Sequence, residues 1–279
     1  MDLDPDLAAL RPLGPFFALR TRPDGTGAPA VPPPTLTRAY GAPTRRETPG
    51  SAAPDVHGDP LAFRVRKVTR ALRAPEDRIA ASVAQQGLAA RLWSVALGCA
   101  VLYGGIPDLA PGLLCWDPDA AAPDDLWLTE VRARPGDAAT VAATVLDGHL
   151  EPLSAALRAR VPVAPGLLRG NSGSALAGAA RQLEAWARTH GRPGAAARAR
   201  ALTAELFTHP LLADTGTFLA DTGTPLTDTG TLLADAGTSA GTAFRRRSCC
   251  LYYRVPGGGV CGDCCFIRPP RSSPRAPSG

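Results

Sequence analysis

Five cysteines crowd near the C-terminal end of this 279-residue chain, and they constrain its fold more than any other feature. They follow the pattern C-C-x10-C-x2-C with one extra cysteine, and they are Cys249, Cys250, Cys261, Cys264 and Cys265. The other two, Cys99 and Cys115, sit singly in apolar segments, as small buried hydrophobes do. Five thiols within seventeen residues therefore predict a metal or redox centre.

A short fold-back is expected to bring these thiols together. Tyr252 to Val255 reads as a strand, and Pro256 to Gly259 reads as a turn that returns Cys261 and Cys264 toward Cys249 and Cys250. Adjacent cysteines in a regular strand point to opposite faces, so the backbone must bend there. A zinc ribbon offers two C-x2-C knuckles instead. The pattern favours an iron–sulfur centre over zinc, and a structural disulfide pair is the third alternative.

The rest of the chain predicts a mainly helical α+β fold. Pro75 suits the first helical position, and the apolar spacing that follows predicts a helix to about Tyr103, where two glycines end it. Leu113 to Trp116 and Leu126 to Val131 flank a polar loop and predict a β-hairpin. Further helices are expected over Ala138 to Arg160 with a break near Gly148, from Asn171 to Thr189, and over Ala195 to Thr208.

Composition divides the chain into five parts. They are a Pro- and Gly-rich N-terminal arm that is partly disordered (1–60), a helical body with the hairpin (61–211), a heptapeptide-repeat insertion (212–240), a metal-binding segment (241–268) and a disordered tail (269–279).

A seven-residue unit repeats with Leu212, Leu219, Leu226 and Leu233 in phase. The period resembles a coiled coil, but each unit carries a glycine that costs roughly 1 kcal/mol in a helix, and Pro225 would break the helix. Three copies contain Asp-Thr-Gly, the aspartic-protease triplet, but such proteases need two aspartates from two lobes. We therefore expect a surface-loop insertion.

Composition also bears on location and partners. The acidic N-terminus lacks the features of a signal peptide, and the most apolar stretch, Leu92 to Ile106, is short and broken by glycines. These features predict a cytoplasmic protein without a membrane span, and disulfides are rare in that compartment. The net charge of +5 comes with no clustered basic face, so no nucleic-acid partner is expected.

The C-terminal residues resemble the signature of the FhuF-type ferric siderophore reductases. The similarity runs from Arg246-Arg247-Ser248-Cys249-Cys250 through Val255-Pro256 to Cys261-Gly262-Asp263-Cys264. Weaker similarity lies upstream, around Leu167 to Asn171 and Ser82 to Trp93. The resemblance implies a 2Fe–2S cluster bound by Cys249, Cys250, Cys261 and Cys264. Cys265 and the repeat both depart from the family pattern.

The resemblance also implies a function. The protein would pass one electron from the cluster to ferric iron in a hydroxamate-type siderophore and release Fe²⁺. Gly257, Gly259 and Gly262 match G-x-G-x-x-G but open no helix after a strand, and no other dinucleotide signature appears. An external electron donor, such as a ferredoxin or a flavin reductase, is therefore expected.

Four arginines flank the cysteines: Arg245, Arg246, Arg247 and Arg254. We expect them to offset the negative charge of the thiolates and to dock an acidic electron donor. Two other functions remain open. One is a zinc-stabilised interaction module, and the other is a 2Fe–2S redox sensor or carrier with no siderophore substrate.

Overall fold

The computed structural model describes residues 3–4, 7–21, 32–42, 56–219 and 243–270. Within these ranges the chain forms eight α-helices, which are α1 (Leu36–Tyr40), α2 (Pro60–Leu72), α3 (Asp77–Tyr103), α4 (Ala138–Ala142), α5 (Glu151–Arg160), α6 (Pro165–Thr189), α7 (Pro193–Leu206) and α8 (Pro210–Ala213). The predicted fold class, mainly α with small β elements, is confirmed.

The strands in the described part of the chain are short and form three small sheets. They are β1 (Arg20–Thr21), β2 (Gly105–Pro107), β3 (Leu114–Trp116), β4 (Leu126–Leu128), β5 (Ala133–Pro135), β6 (Gly216–Leu219) and β7 (Ala243–Arg246). The sheet orders are β1-β4-β3, β2-β5 and β6-β7. The predicted hairpin is confirmed, because β3 pairs antiparallel with β4 and places Cys115 opposite Trp127.

Helix α3 is the centre of the body. From Leu92 to Val101 it is buried on every side, as expected of a helix segment that is apolar all round. Nearer its start, Val83, Gln86, Gly87 and Ala90 are only half-buried. It packs along α6 and α2, and it ends where Gly104 takes a left-handed conformation with φ of 77°. No helix in the described ranges is long and apolar enough to cross a membrane.

The described parts of the predicted N-terminal arm pack into this body. Leu10 and Phe17 are fully buried against α3, and a Cβ on Gly98 would come within 2.9 Å of both side chains. The missing side chain at Gly98 lets this segment lie directly on the helix. Buried leucines therefore anchor this first part of the predicted arm. Residues 22–31 and 43–55, which carry much of its Pro and Gly content, lie outside the described residues, so the partly disordered arm stays a prediction.

A buried ion pair joins three parts of the body. Arg91 of α3 is 1% exposed, and its Nε lies 2.9 Å from Oδ1 of Asp125 just before β4. The Arg91 guanidinium also donates to the backbone carbonyls of Pro15, Phe16 and Ala18. One cation thereby fixes the N-terminal segment and the hairpin to α3.

Two predicted helices differ from the structure in detail. The helix over Ala138 to Arg160 is continuous, since π-helical turns from Ala143 to Leu150 replace the predicted break at Gly148. The helix predicted from Asn171 begins six residues earlier, at Pro165. Proline suits that position, because its missing N–H would have no helical partner there.

The first unit of the repeat belongs to the body. Leu212 is fully buried, and the ring of Phe218 in β6 lies 4.9 Å from that of Phe207 and 5.2 Å from that of Phe244 in β7. This unit is therefore not part of a surface loop, because the aromatic residue at its end adds to the core. The remainder of the predicted insertion, from residue 220, lies outside the described residues.

Candidate metal centre

Residues 243–270, here called the cysteine segment, return from the repeat and pack on α6 and α3. Strand β7 pairs antiparallel with β6, with Arg246 opposite Gly216. Past the strand, the Arg247 N–H donates to the carbonyl of Thr215. The segment therefore enters its site from a fixed two-stranded ribbon.

Small residues on α6 allow this close approach. A Cβ added to Gly170 would overlap the hydroxyl of Ser248, and one added to Gly173 would overlap the hydroxyl of Thr215. The Ser248 hydroxyl in turn donates to the carbonyl of Gly166 at 3.0 Å. The glycine spacing therefore forms a shallow channel along the helix in which the cysteine segment lies.

A chain of buried hydrogen bonds links the segment to both central helices. Arg246 donates from Nη2 to Oδ1 of Asn171 at 2.5 Å. Asn171 Nδ2 donates to the carbonyl and hydroxyl of Ser82, and the Ser82 hydroxyl donates to the carbonyl of Cys250 at 2.8 Å. Asn171 was expected to begin a helix, but it lies inside α6 and orients Arg246.

Replacing Asn171 by leucine is expected to lower the free energy of unfolding by about 2–3 kcal/mol, because a charged donor loses its acceptor in a buried place. Urea denaturation followed by circular dichroism measures the change. Asn171→Asp keeps the acceptor for Arg246 and should lose less. Equal stability of Asn171→Leu and the wild type would show that Arg246 does not depend on this contact.

Asp263 attaches the far side of the loop. Its carboxylate accepts hydrogen bonds from the Ser174 hydroxyl at 2.5 Å and from Arg181 Nη2 at 2.9 Å, both on α6. Its carbonyl accepts from the Arg246 N–H at 2.9 Å. This aspartate lies between Cys261 and Cys264, so the short turn that carries both cysteines is bound to α6 through a residue inside the turn.

The fold brings all five C-terminal cysteines together. The Sγ atoms of Cys250 and Cys261 lie 3.5 Å apart, while those of Cys249, Cys264 and Cys265 all lie within 4.8 Å of one another. The predicted fold-back of Cys261 and Cys264 onto Cys249 and Cys250 is thus confirmed. Cys265, which the sequence pattern leaves outside the ligand set, is in the same group of thiols.

The backbone around the thiols differs from the expected strand. Tyr252 to Arg254 form a 3-10 turn, and Leu251 before it has φ of 67°. The chain thus turns directly after the adjacent cysteines, and the Leu251 N–H donates to Cys249 Sγ at 3.2 Å. The Phe266 N–H donates to Cys264 Sγ at 3.4 Å in the same way.

Electrostatics around the thiols favour a thiolate at Cys250, whereas a hydrogen bond to Cys250 raises the pKa of both Cys249 and Cys261. Hydrogen bonds from Cys249 and then Cys261 lower the pKa of the Cys250 thiol well below its ordinary value, and the charge of Arg246 acts in the same direction. Thiolates, rather than thiols, are the form that binds metal. Cys250 is 3% exposed, and the other four cysteines are partly exposed.

The four flanking arginines have different environments. Arg246 is only 2% exposed, so the expectation that it docks a partner is wrong, because its side chain lies inward beside Asn171. Arg247 pairs with Asp214 at 2.7 Å, and Arg254 pairs with Glu76 at the start of α3 at 2.8 Å. Arg245 is exposed on the outer face of β7.

The residues fit an anionic, sulfur-ligated group. Nε and Nη1 of Arg246 are buried and have no hydrogen-bond partner among the described residues, although an unsatisfied buried donor is costly. The positive charge of this guanidinium acts on Cys250, Cys261 and Cys265. Backbone N–H groups directed at sulfur are a recognised influence on iron–sulfur clusters. The site is therefore that of a thiolate-ligated metal protein.

Comparison with known proteins identifies the kind of metal centre that this segment resembles. Residues 246–266 match the family model described as the FhuF 2Fe-2S C-terminal domain. No curated protein matches the chain. The resemblance to FhuF-type proteins is thus confirmed over the segment that carries it, and so is the expected 2Fe–2S cofactor. Which four of the five thiols bind the cluster stays a prediction.

Sequence reasoning missed the residues that hold the site. Ser82, Ser174 and Arg181 all contact the cysteine segment from helices. The one feature of the sequence that could have indicated these contacts was Ser82, a polar residue among the apolar residues of α3. The partners of these residues lie 82 to 168 positions away in the chain, beyond the reach of local patterns.

Proposed function

We propose that this protein is a cytoplasmic ferric siderophore reductase. It accepts one electron from an external donor, such as a ferredoxin or a flavin reductase, and passes it to Fe³⁺ held in a hydroxamate-type siderophore. The product is Fe²⁺, which hard oxygen donors hold less tightly, so the iron is released. The step forms no covalent bond and moves no proton, and it therefore needs no nucleophile or general base.

The observation that carries this proposal is a 2Fe–2S domain whose thiols lie near the surface. When bound, the cluster supplies a one-electron carrier. The protein contributes the buried cation Arg246, which offsets the negative charge of the thiolates. It also contributes a partly exposed surface of the cysteine segment, which a second redox centre can approach. Four large hydrophobic side chains of this segment are exposed: Tyr252, Val260, Phe266 and Ile267.

The test begins with protein purified without oxygen. Charge-transfer absorption that bleaches with dithionite is expected. Adding the ferric complex of desferrioxamine to the reduced protein should restore the absorption, and a ferrous chelator should trap the released Fe²⁺. The gallium complex has similar shape but accepts no electron, and it should leave the reduced protein unchanged.

Other outcomes identify the competing functions. A colourless protein with stoichiometric zinc would contradict the reductase and indicate an interaction module. A protein that bleaches with dithionite but is not reoxidised by ferric siderophores would indicate a redox sensor or carrier.

The exposed arginines near the cysteines are expected to receive the electron donor. Changing Arg245 and Arg247 to glutamate should slow reduction by an acidic ferredoxin about tenfold at low salt, because like charges then face each other. The difference should shrink at high salt as screening increases. Stopped-flow absorbance measures the rate. Arg188→Glu, an exposed change at the far end of α6, is the control, and an equal slowing there would contradict docking at this face.

A further inference from the structure

The cysteine segment contains one more thiol than a four-ligand cluster uses. Cys250 and Cys261 form a close pair, and the remaining three, Cys249, Cys264 and Cys265, form the second group, with every Sγ–Sγ distance within 4.8 Å. The pair supplies two ligands, and Cys249 links it to the second group through a hydrogen bond with Cys250. The second group has three thiols for the two remaining positions.

The local backbone places both Cys264 and Cys265 on the same side of the loop. In an extended chain their side chains would point apart. Here the Cys264 N–H donates to the carbonyl of Cys261 at 3.0 Å, which closes a turn, and the Phe266 N–H donates to Cys264 Sγ. Cys265 follows this turn directly, and its Sγ stays within reach of the sulfur of Cys249.

The two thiols have similar exposure and share a neighbour. Both are partly exposed, so protons can exchange with water at either one. Cys249, on the other side of the loop, has its Sγ within 4.8 Å of both and accepts a hydrogen bond from the N–H of Leu251. The two thiols differ in one contact, because the Phe266 N–H donates to Cys264 Sγ.

We propose that Cys264 and Cys265 are interchangeable ligands for one position of the cluster. In the exchange, the Cys264 thiolate would give up its bond to iron and the Cys265 thiolate would form the replacing bond, with no change in oxidation state. The proton of the Cys265 thiol would pass through water to the released Cys264 thiolate, so charge would be conserved. This inference rests on the 2Fe–2S cofactor, but it does not depend on the siderophore substrate.

Single and double variants test the exchange. Cys264→Ala and Cys265→Ala are each expected to retain about the wild-type content of iron and acid-labile sulfide after anaerobic purification, while the double variant loses both. Cys250→Ala is the matched control, because the thiol next to it, Cys249, is itself a predicted ligand and leaves no spare thiol at that position. A Cys264→Ala protein that is folded by circular dichroism and as empty as Cys250→Ala would overturn the proposal.

A second measurement avoids substitution. Holoprotein of the wild-type chain is treated briefly with iodoacetamide, and tandem mass spectrometry locates the alkylated residue. Interchangeable ligands predict label on both Cys264 and Cys265 in separate molecules. Label on Cys265 alone would show a fixed ligand and overturn the exchange. If a ferric siderophore fails to reoxidise the reduced protein while both cysteines are still labelled, the result counts against the proposed reductase function and not against the ligand exchange.

Discussion

Replacing Cys250 by alanine is expected to remove the cluster entirely. Cys250 is the most buried of the five thiols at 3% exposure, and its Sγ lies 3.5 Å from that of Cys261. The Ser82 hydroxyl holds its carbonyl, so the backbone cannot shift to present another residue without breaking a buried contact. Neighbouring Cys249 is not expected to replace it, because its own sulfur, close to those of Cys264 and Cys265, is already a predicted ligand.

Three measurements together check this expectation. Iron and acid-labile sulfide should fall to background, the charge-transfer absorption should vanish, and electron transfer to ferric desferrioxamine should stop. Cys115→Ala, which alters a cysteine of β3 outside the segment, should keep all three. A Cys250→Ala protein with full iron and sulfide would show that four thiols other than those predicted bind the cluster.

The second large effect is expected on stability, from Asp125→Ala. This change leaves the buried guanidinium of Arg91 without its counter-ion, and such losses cost about 3–5 kcal/mol. Arg91 cannot turn toward water, because it is 1% exposed and is also bound by three backbone carbonyls. Urea denaturation of the holoprotein should show a midpoint at much lower urea with the same slope.

Two companion variants make this result interpretable. The double change Arg91→Met with Asp125→Ala removes both charges and should recover part of the lost stability, since an apolar replacement of a buried pair is often neutral. Glu130→Ala breaks the exposed pair with Arg132 and should leave the midpoint unchanged. A wild-type midpoint in Asp125→Ala would mean that the carbonyls alone satisfy Arg91.

Elements with a strong local signal were predicted well. Helix α3 was expected from Pro75 to Tyr103, and it runs from Asp77 to Tyr103, because apolar periodicity and a terminal glycine are local properties. Tyr252 to Arg254 were predicted as a strand and form a turn. Aromatic residues favour strands, but here the chain turns at the left-handed Leu251 directly before them.

The thiols of the site could be predicted, whereas the support around them could not. Cysteine spacing alone indicated that the loop folds back. Arg246 was interpreted as a surface charge, as most arginines are, and its burial depends on Asn171, 75 residues earlier. The glycines that admit the loop, Gly170 and Gly173, carry no pattern until the loop is in place.

The pairing of β6 with β7 has an evolutionary consequence. Leu219 and Ala243 are direct partners in that ribbon, so the residues that join them begin and end at neighbouring positions. When two ends are held this close, each doubling of the chain between them adds only about 0.6 kcal/mol to the entropic cost of closure. Tandem copies of the seven-residue unit can therefore be gained or lost by slippage during gene replication, while the metal centre keeps its place on α6. The ribbon thus lets the number of repeats vary at little cost in stability.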